Sequence, residues 1–319
     1  MAQYKGSIIA DPKGNSWELA CKIYKYLIEK SEDFELNELS VKRFRDGEIK
    51  PKIMANVRGK NCFFIHDSSL LASEWHLQLC LVNNALRNSS AHEIIDVVPY
   101  LRFSRQDRKE ESRVPISAQV IADNIGSYDH TRILTIEVHN LSVQGFYRVP
   151  FDSLYTFPIV ISYIKNFYPE ILEDIVIMSP DAGGAKRAES FAKRLGKNDV
   201  AFGYKSRPTE GEVDKLKILG DVKDKNVLII DDIVDSGNTL INAAKSLREQ
   251  GAKNIYAYCT HGLFTEGVEK VTSNFNKFFI GDTIKQEPNN NLEIISFASL
   301  LAEAILRISN GHSLSALFE

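Results

Sequence analysis

The run Val227-Leu228-Ile229-Ile230-Asp231-Asp232-Ile233-Val234-Asp235-Ser236-Gly237-Asn238-Thr239-Leu240 sets an apolar β-branched segment, two adjacent acids and a turn of small polar residues side by side. A short apolar run of this kind predicts a strand buried on both faces of a parallel sheet. The chain leaves such a sheet at its carboxyl edge, where open α/β folds bind ligands. Asp235 to Thr239 are mostly small and Leu240 to Gln250 reads as a helix. Ser236, Thr239 and the N–H groups between them can therefore converge on a phosphate at a helix N-terminus. Asp231 and Asp232 are left to face sugar hydroxyls. An Asp-Asp pair after a strand also occurs as a plain solvated loop start, and the pair alone does not choose between the two.

Composition frames this reading. At 319 residues, 44% apolar and 25% charged, the chain is an ordinary soluble globular one with room for two domains. A net charge of −3 gives no electrostatic reason for a polyanion partner, so nucleic acid is not expected. Cys21, Cys62, Cys80 and Cys259 lack metal-ligand spacing and fit a reducing compartment. No apolar stretch approaches the ~20 residues of a membrane span, so a cytoplasmic protein without a membrane partner is expected.

The chain also repeats a pattern. Lys60-Asn61-Cys62-Phe63-Phe64-Ile65-His66-Asp67 matches Lys225-Asn226-Val227-Leu228-Ile229-Ile230-Asp231-Asp232, which predicts two related βα units half a chain apart. In the first copy His66 replaces an acid and Ser68-Ser69-Leu70-Leu71 replaces the phosphate turn, so that half is expected to keep the fold and lose the sugar-phosphate site. Strands over 94–98, 133–136, 175–178 and 254–258 alternate with helices over 17–30, 117–125, 185–195 and 241–250, an order that calls for parallel sheets covered on both faces. Turn-forming residues place a seam near Pro150 to Pro158.

Five further segments carry chemistry. Pro99 to Lys109 sets four cations and two aromatics after a buried strand, a combination suited to a polyphosphate and a purine. Glu137 and His139, two apart on an extended segment, point to one side, where they could hold a metal-bound polyphosphate. Asp181-Ala182-Gly183-Gly184 follows a strand and opens a helix, so backbone can approach a ligand closely while Asp181 meets a cation or hydroxyl. Lys205 and Arg207 precede the polar stretch Pro208 to Glu212, from which two cations can swing over a reacting phosphate. Phe44-Arg45-Asp46-Gly47-Glu48 offers a ring for stacking and two acids able to accept from an amine.

These strings resemble those of the ribose-phosphate pyrophosphokinases, from about Phe44 to Phe318 at unchanged motif order. Val227 to Leu240 resembles the 5-phosphoribosyl-1-pyrophosphate (PRPP) loop, and Arg105-Gln106-Asp107-Arg108-Lys109 the ATP-binding signature that simple phosphoribosyltransferases lack. Thr260 to Phe264 and Ser313 to Phe318 match family strings as well. The resemblance implies an α/β fold of two tandem type I phosphoribosyltransferase-like domains, each a mostly parallel sheet flanked by helices. Residues 1–153 would carry the ATP motifs and 154–305 the PRPP loop, with 306–319 packing back on the first.

It also implies site roles. ATP falls to Phe44, Asp46, Glu48, Arg105, Gln106, Asp107, Lys109 and His139, and ribose 5-phosphate to Asp231, Asp232, Asp235, Ser236, Gly237, Asn238 and Thr239. Charge on the transferred group falls to Lys205 and Arg207, and Mg²⁺ to His139 and Asp181. Glu137 stands where the family has Asp, and its longer arm would act through a water. Asn238 replaces a common glycine; if the turn needs φ > 0 there, Asn is the side chain that tolerates it best, leaving a retained but weaker sugar site. The Phe44 loop is lent to a neighbouring subunit in the family, implying a homo-oligomer built from dimers, up to a hexamer. The implied reaction moves the β,γ-diphosphoryl group of ATP to the 1-hydroxyl of ribose 5-phosphate. A non-catalytic regulatory homologue and a base phosphoribosyltransferase are the alternatives. Lys205, Arg207, His139 and Asp181 speak against the first, and chain length with Arg105 to Lys109 against the second.

Overall fold

The computed structural model describes residues 5–126, 131–205 and 216–318, leaving aside the side chains of Thr131 and Lys205. Two compact units divide the chain. Unit 1 comprises Met1–Tyr155, Thr283–Lys285 and Phe297–Glu319, and unit 2 comprises Thr156–Asp282 and Gln286–Ser296. In chain order unit 1 contains β1 (Gly6–Ala10), α1 (Trp17–Ile28), β2 (Phe34–Arg43), β3 (Ile49–Ile53), β4 (Asn61–Ile65), α2 (Ala72–Asn88), β5 (Glu93–Val98), α3 (Ser117–Ile125), β6 (Thr131–Ile136) and β7 (Phe151–Leu154). Unit 2 contains α4 (Phe157–Phe167), β8 (Ile175–Ser179), α5 (Ala185–Arg194), β9 (Val200–Lys205), β10 (Leu216–Leu219), β11 (Asn226–Val234), α6 (Asn238–Glu249), β12 (Asn254–Gly262), α7 (Val268–Thr272), β13 (Lys277–Gly281) and β14 (Leu292–Ile295).

Each unit holds one seven-stranded sheet, ordered β3-β2-β1-β4-β5-β6-β7 in the first and β10-β9-β8-β11-β12-β13-β14 in the second. Renumbered from its own first strand, the second order is identical to the first, with β4 and β11 as the central strands. The repeat seen at Asn61 and Asn226 is therefore a duplication of the whole sheet. Every pairing is parallel except the edge pairs β2/β3 and β9/β10. These two hairpins have no helical crossover to announce them in the sequence pattern.

The central strands are mostly apolar because helices cover both faces: β1, β4 and β8 are buried at every position. α1 buries Leu19, Ala20, Ile23 and Leu27, one stripe at helical spacing. Each fully buried Leu or Phe of this kind contributes about 1.5–3 kcal/mol. Asn226, at the start of β11, is buried but satisfied, donating from Nδ2 to the Glu173 carbonyl at 2.9 Å and accepting at Oδ1 from Asn254 at 2.9 Å.

The last helix, α8 (Ala298–Ser309), lies against α1 within unit 1. A boundary at residue 305 would cut through it. Ala298, Leu301, Ala302 and Ile305 are buried on one face, and Lys30 Nζ meets Glu303 Oε2 at 3.0 Å, so the helix stays whole with this unit. Among the described residues no helix is long and apolar enough to cross a membrane.

Candidate active site

The two acids of the opening run lie inside β11, not at the start of a loop. Pairing of β11 with β8 stops at Ile229–Met178, whereas pairing with β12 continues through Asp231–Cys259, Ile233–His261 and Val234–Gly262. The strand thus runs on past β8 with its β8-facing edge open, and the acids occupy that extension. Asp232 is 4% exposed, which removes the solvated-loop alternative. Its N–H donates to Asp231 Oδ1 at 2.9 Å.

A cation serves the pair. Arg187, in the first turn of α5, places Nη1 3.1 Å from Asp232 Oδ1 and 3.4 Å from Asp231 Oδ1. Burial and the adjacent Asp232 raise the Asp231 carboxyl well above its ordinary range, and Arg187 pulls it back. Burial, with the two acids adding to it, also raises the Cys259 thiol. Sequence reasoning gave Arg187 no role. Its signal was position: the third residue of a helix that opens from the Gly183-Gly184 turn beside the acid-bearing strand.

The turn after β11 is built for close approach. Gly237 has φ +78°, and a Cβ there would stand 2.4 Å from Val271 Cγ2, so glycine is required on both counts. The left-handed residue is thus Gly237, and Asn238 is the first residue of α6, without positive φ. The allowance made for Asn238 in a left-handed position is unneeded. The N-cap of α6 makes no side-chain cap bond, and Asn238 N–H reaches only Ser236 Oγ at 3.5 Å, so the first turn can offer N–H groups to an anion. Thr265 Oγ1 donates to Asp235 Oδ1 at 2.7 Å, holding the start of the turn.

Asp181 is exposed, and its Oδ1 accepts the Gly184 N–H at 3.1 Å. Gly184 passes close to Ser179, where a Cβ would meet Oγ at 2.6 Å. Lys205 ends β9, its backbone paired with Leu216. The Lys205 side chain and Arg207 lie outside the described residues.

In unit 1, Gln106 and Asp107 have firm anchors: Gln106 Oε1 accepts from Ser117 Oγ at 2.6 Å, and Asp107 Oδ2 accepts from Asn140 Nδ2 at 2.6 Å. The second bond brings the Arg105–Lys109 segment to the residue after His139. Arg105, Arg108, Lys109 and His139 are exposed. The two aromatics of this segment do not serve a purine as expected: Tyr100 is buried, and Phe103 packs against the core cluster. Glu137 and His139 also depart from expectation. β6 ends at Ile136, Glu137 takes φ +29° and is buried, and His139 is exposed, so extended alternation does not carry through the pair.

Phe44, Asp46 and Glu48 form the tip of the β2/β3 hairpin, closed by Phe44 N–H to the Glu48 carbonyl at 2.8 Å. Phe44 is 39% exposed, with Lys42 Nζ 5.0 Å from its ring centre. His66, where β11 has Asp231, is a core residue: fully buried, edge-on to Phe64 and Trp75, its Nε2 3.0 Å from the Trp75 carbonyl, and pushed down to about 3 by burial.

Two copies of one parallel-sheet unit, the second carrying paired carboxylates and an open glycine turn at its carboxyl edge, define a tandem type I phosphoribosyltransferase-like protein. Residues 13–128 match the family model described as the N-terminal domain of ribose phosphate pyrophosphokinase, and residues 208–319 match the phosphoribosyl synthetase-associated domain. The chain belongs to the ribose-phosphate pyrophosphokinase family. It is 40% identical to the ribose-phosphate pyrophosphokinase of Rhizobium meliloti, over 96% of this chain and 98% of the relative. It is 38% identical to that of Nitrosomonas europaea, over 97% and 96% respectively. The crystal structure of phosphoribosylpyrophosphate synthetase from Mycobacterium smegmatis superposes with a TM-score of 0.83 at 29% identity, covering 96% of this chain and 99% of that one.

Proposed function

We propose that this chain is a catalytic ribose-phosphate diphosphokinase: the 1-hydroxyl of ribose 5-phosphate attacks the β-phosphorus of ATP, AMP leaves, and PRPP forms. The observation that carries the sugar side is the Asp231–Asp232 pair on the free extension of β11, one turn before the left-handed Gly237 and the uncapped N-terminus of α6. Asp231 and Asp232 accept from the ribose 2- and 3-hydroxyls. Asp235, Ser236, Gly237, Asn238 and Thr239 enclose the 5-phosphate, with α6 N–H groups pointed at it.

ATP is held by the exposed cations Arg105 and Lys109, by Gln106, Asp107 and His139, and at the adenine by Phe44, Asp46 and Glu48. Lys205 and Arg207 meet the charge that builds on the transferred group, which is where positively charged groups lower the barrier of phosphoryl-type transfer. Among the described residues no cluster of three or more His, Cys, Asp or Glu makes a protein-only cation cage. Mg²⁺ keeps waters and substrate phosphates as ligands and needs only one or two groups from the protein. His139 in unit 1 and Asp181 in unit 2, both exposed, are each candidates to ligate it, with Glu137 acting through a water. When bound, Mg²⁺ draws charge from the triphosphate oxygens.

The exposed Phe44 ring at a hairpin tip supports a homo-oligomer built from dimers, up to a hexamer, in which each subunit's tip closes on a neighbour's adenine. A cytoplasmic place of action belongs to the same proposal. One assay tests it: Mg²⁺-dependent formation of AMP and PRPP from ATP and ribose 5-phosphate. Binding of both substrates without AMP would overturn catalysis and leave a regulatory homologue.

A further inference from the structure

Unit 1 retains the geometry of a ligand site that its sequence no longer advertises. A cavity of about 250 Å³ opens at the carboxyl ends of β1 and β4. Its walls come from three connections: β1 to α1 (Asp11, Lys13), β4 to α2 (Asp67, Leu70) and the end of β2 before the hairpin turn (Arg43). In the duplicated sheet order these are the counterparts of β8 to α5, β11 to α6 and the end of β9, the three segments that carry Asp181, the Asp231–Thr239 run and Lys205. Arg43 pairs with Ile49 across its hairpin as Lys205 pairs with Leu216, so the two cations hold the same register position.

The lining indicates what such a site would take. Asp67 matches Asp232 in the repeat, and its carboxylate is already set in place, Oδ2 accepting from the Asn15 N–H at 2.7 Å and Oδ1 from the Ser69 N–H at 2.8 Å. Each oxygen keeps a lone pair for a hydroxyl. Asp11 is braced in the same way by the Lys13 N–H at 2.9 Å. Gln78 is only 4% exposed, lines the cavity, and has no hydrogen-bond partner among the described residues. Its amide therefore meets only what fills the cavity, water or a ligand.

An anion does not fit. Arg43 is ion-paired with Glu74, which leaves Asp11 and Asp67 against Lys13. The segment that would cradle a phosphate, Ser68 to Leu71, has no glycine and sets Leu70 on the cavity. Leu39, Val41 and Phe64 complete an apolar wall. At about 30 Å³ per water, the volume corresponds to roughly eight waters, room for a pentose ring with a modest substituent.

We infer that unit 1 binds an uncharged sugar ring bearing vicinal hydroxyls, a free pentose or its nucleoside, in the degenerate copy of the sugar-phosphate site. This rests on the reading of unit 2 as the place where ribose 5-phosphate binds.

The test is equilibrium dialysis of the full chain with ribose, adenosine and adenine, each in the presence of saturating ribose 5-phosphate and a non-hydrolysable ATP analogue so that the substrate sites are filled. Saturable binding of ribose or adenosine is expected, weakened at least ~10-fold in Gln78→Leu and in Leu70→Trp, which fills the cavity. Leu70 is half-buried, so the second variant keeps the test open if the first does not fold. No saturable sugar binding, binding of adenine as tight as adenosine without any of ribose, or binding unmoved in both folded variants would overturn the inference. AMP formation measured on the same preparation separates the two readings: loss of AMP formation with sugar still bound strikes the proposed activity alone, and the converse strikes the cavity alone.

Discussion

Arg187 Nη1 stands 3.1 Å from Asp232 Oδ1 and 3.4 Å from Asp231 Oδ1, so one guanidinium on α5 faces two consecutive carboxylates on β11. Two like charges this close in a buried setting would otherwise drive one of them to take a proton. Arg187 opposes that shift without cancelling it, and in the proposed sugar site it is a positioning residue for both acids.

Replacing that cation should make sugar binding depend on pH. Asp231 already lies well above the usual carboxylate range, and losing Arg187 moves it higher. Protonation then persists to higher pH and lifts only as pH rises through the new value. In Arg187→Met, ribose 5-phosphate affinity measured by calorimetry should go on climbing to a higher pH than in the unmodified chain before it levels off. Parallel profiles would assign Arg187 a purely structural role.

Removing one acid tests the sugar assignment itself. Asp232→Ala should weaken ribose 5-phosphate binding by about 1.5–3 kcal/mol, the range for hydrogen bonds to charged groups, and leave ATP binding intact. Unchanged sugar affinity in a folded variant would displace the site from β11.

Charge that develops only during transfer should show in turnover. Lys205→Ala and Arg207→Ala are expected to lower kcat by ~10²-fold or more with little change in ribose 5-phosphate binding. A rise in KM with kcat preserved would mean that these residues bind ground-state phosphate alone.

The hairpin tip tests the shared site. Phe44→Ala should raise KM for ATP, and mixing a variant dead in Phe44–Glu48 with one dead at Lys205 should restore activity, because a hybrid assembly rebuilds one intact site. Continued inactivity after demonstrated subunit exchange would confine the site to one chain.

Stability carries its own pH signature. Asp96 is fully buried, accepts from Asn83 Nδ2 at 2.7 Å, and is pushed up to about 7 by burial, while its Oδ1 and Asn83 Oδ1 lack partners among the described residues. An acid raised on folding binds its proton more tightly in the native state. Its contribution is most favourable below the unfolded value near 4, falls as pH rises toward 7, and is level above. Asp96→Asn removes this slope and supplies a donor for Asn83 Oδ1. Relative to the unmodified chain the variant should gain, between acid and mildly alkaline pH, on the order of 4 kcal/mol. Trp17 and Trp75 both lie in unit 1, so tryptophan fluorescence in urea reports the relevant unfolding. An unchanged slope would mean that Asp96 is ionised in the native chain.

The amino-acid sequence by itself determined the parallel sheets, the duplicated βα pattern and the order of the ligand-bearing turns. The runs Cys62–Ile65 and Val227–Ile230 are apolar at every position, and only a strand covered on both faces buries such a run. The same local chemistry marked the Ser236–Thr239 turn and the Arg105–Lys109 string. Tertiary structure alone decided that Asp231 and Asp232 sit within β11, because β8 stops at Met178 in the pairing while β12 continues. It assigned the left-handed position to Gly237 through the nearness of Val271, turned Tyr100 into the core, and broke the extended link between Glu137 and His139. It also brought Arg187 to acids 44 and 45 positions away, and set Gln78 facing a cavity bounded by three separate connections. Periodicity and turn chemistry report interactions within a few residues. Strand register, helix placement and the free energy of burial depend on distant segments meeting, which no short window contains.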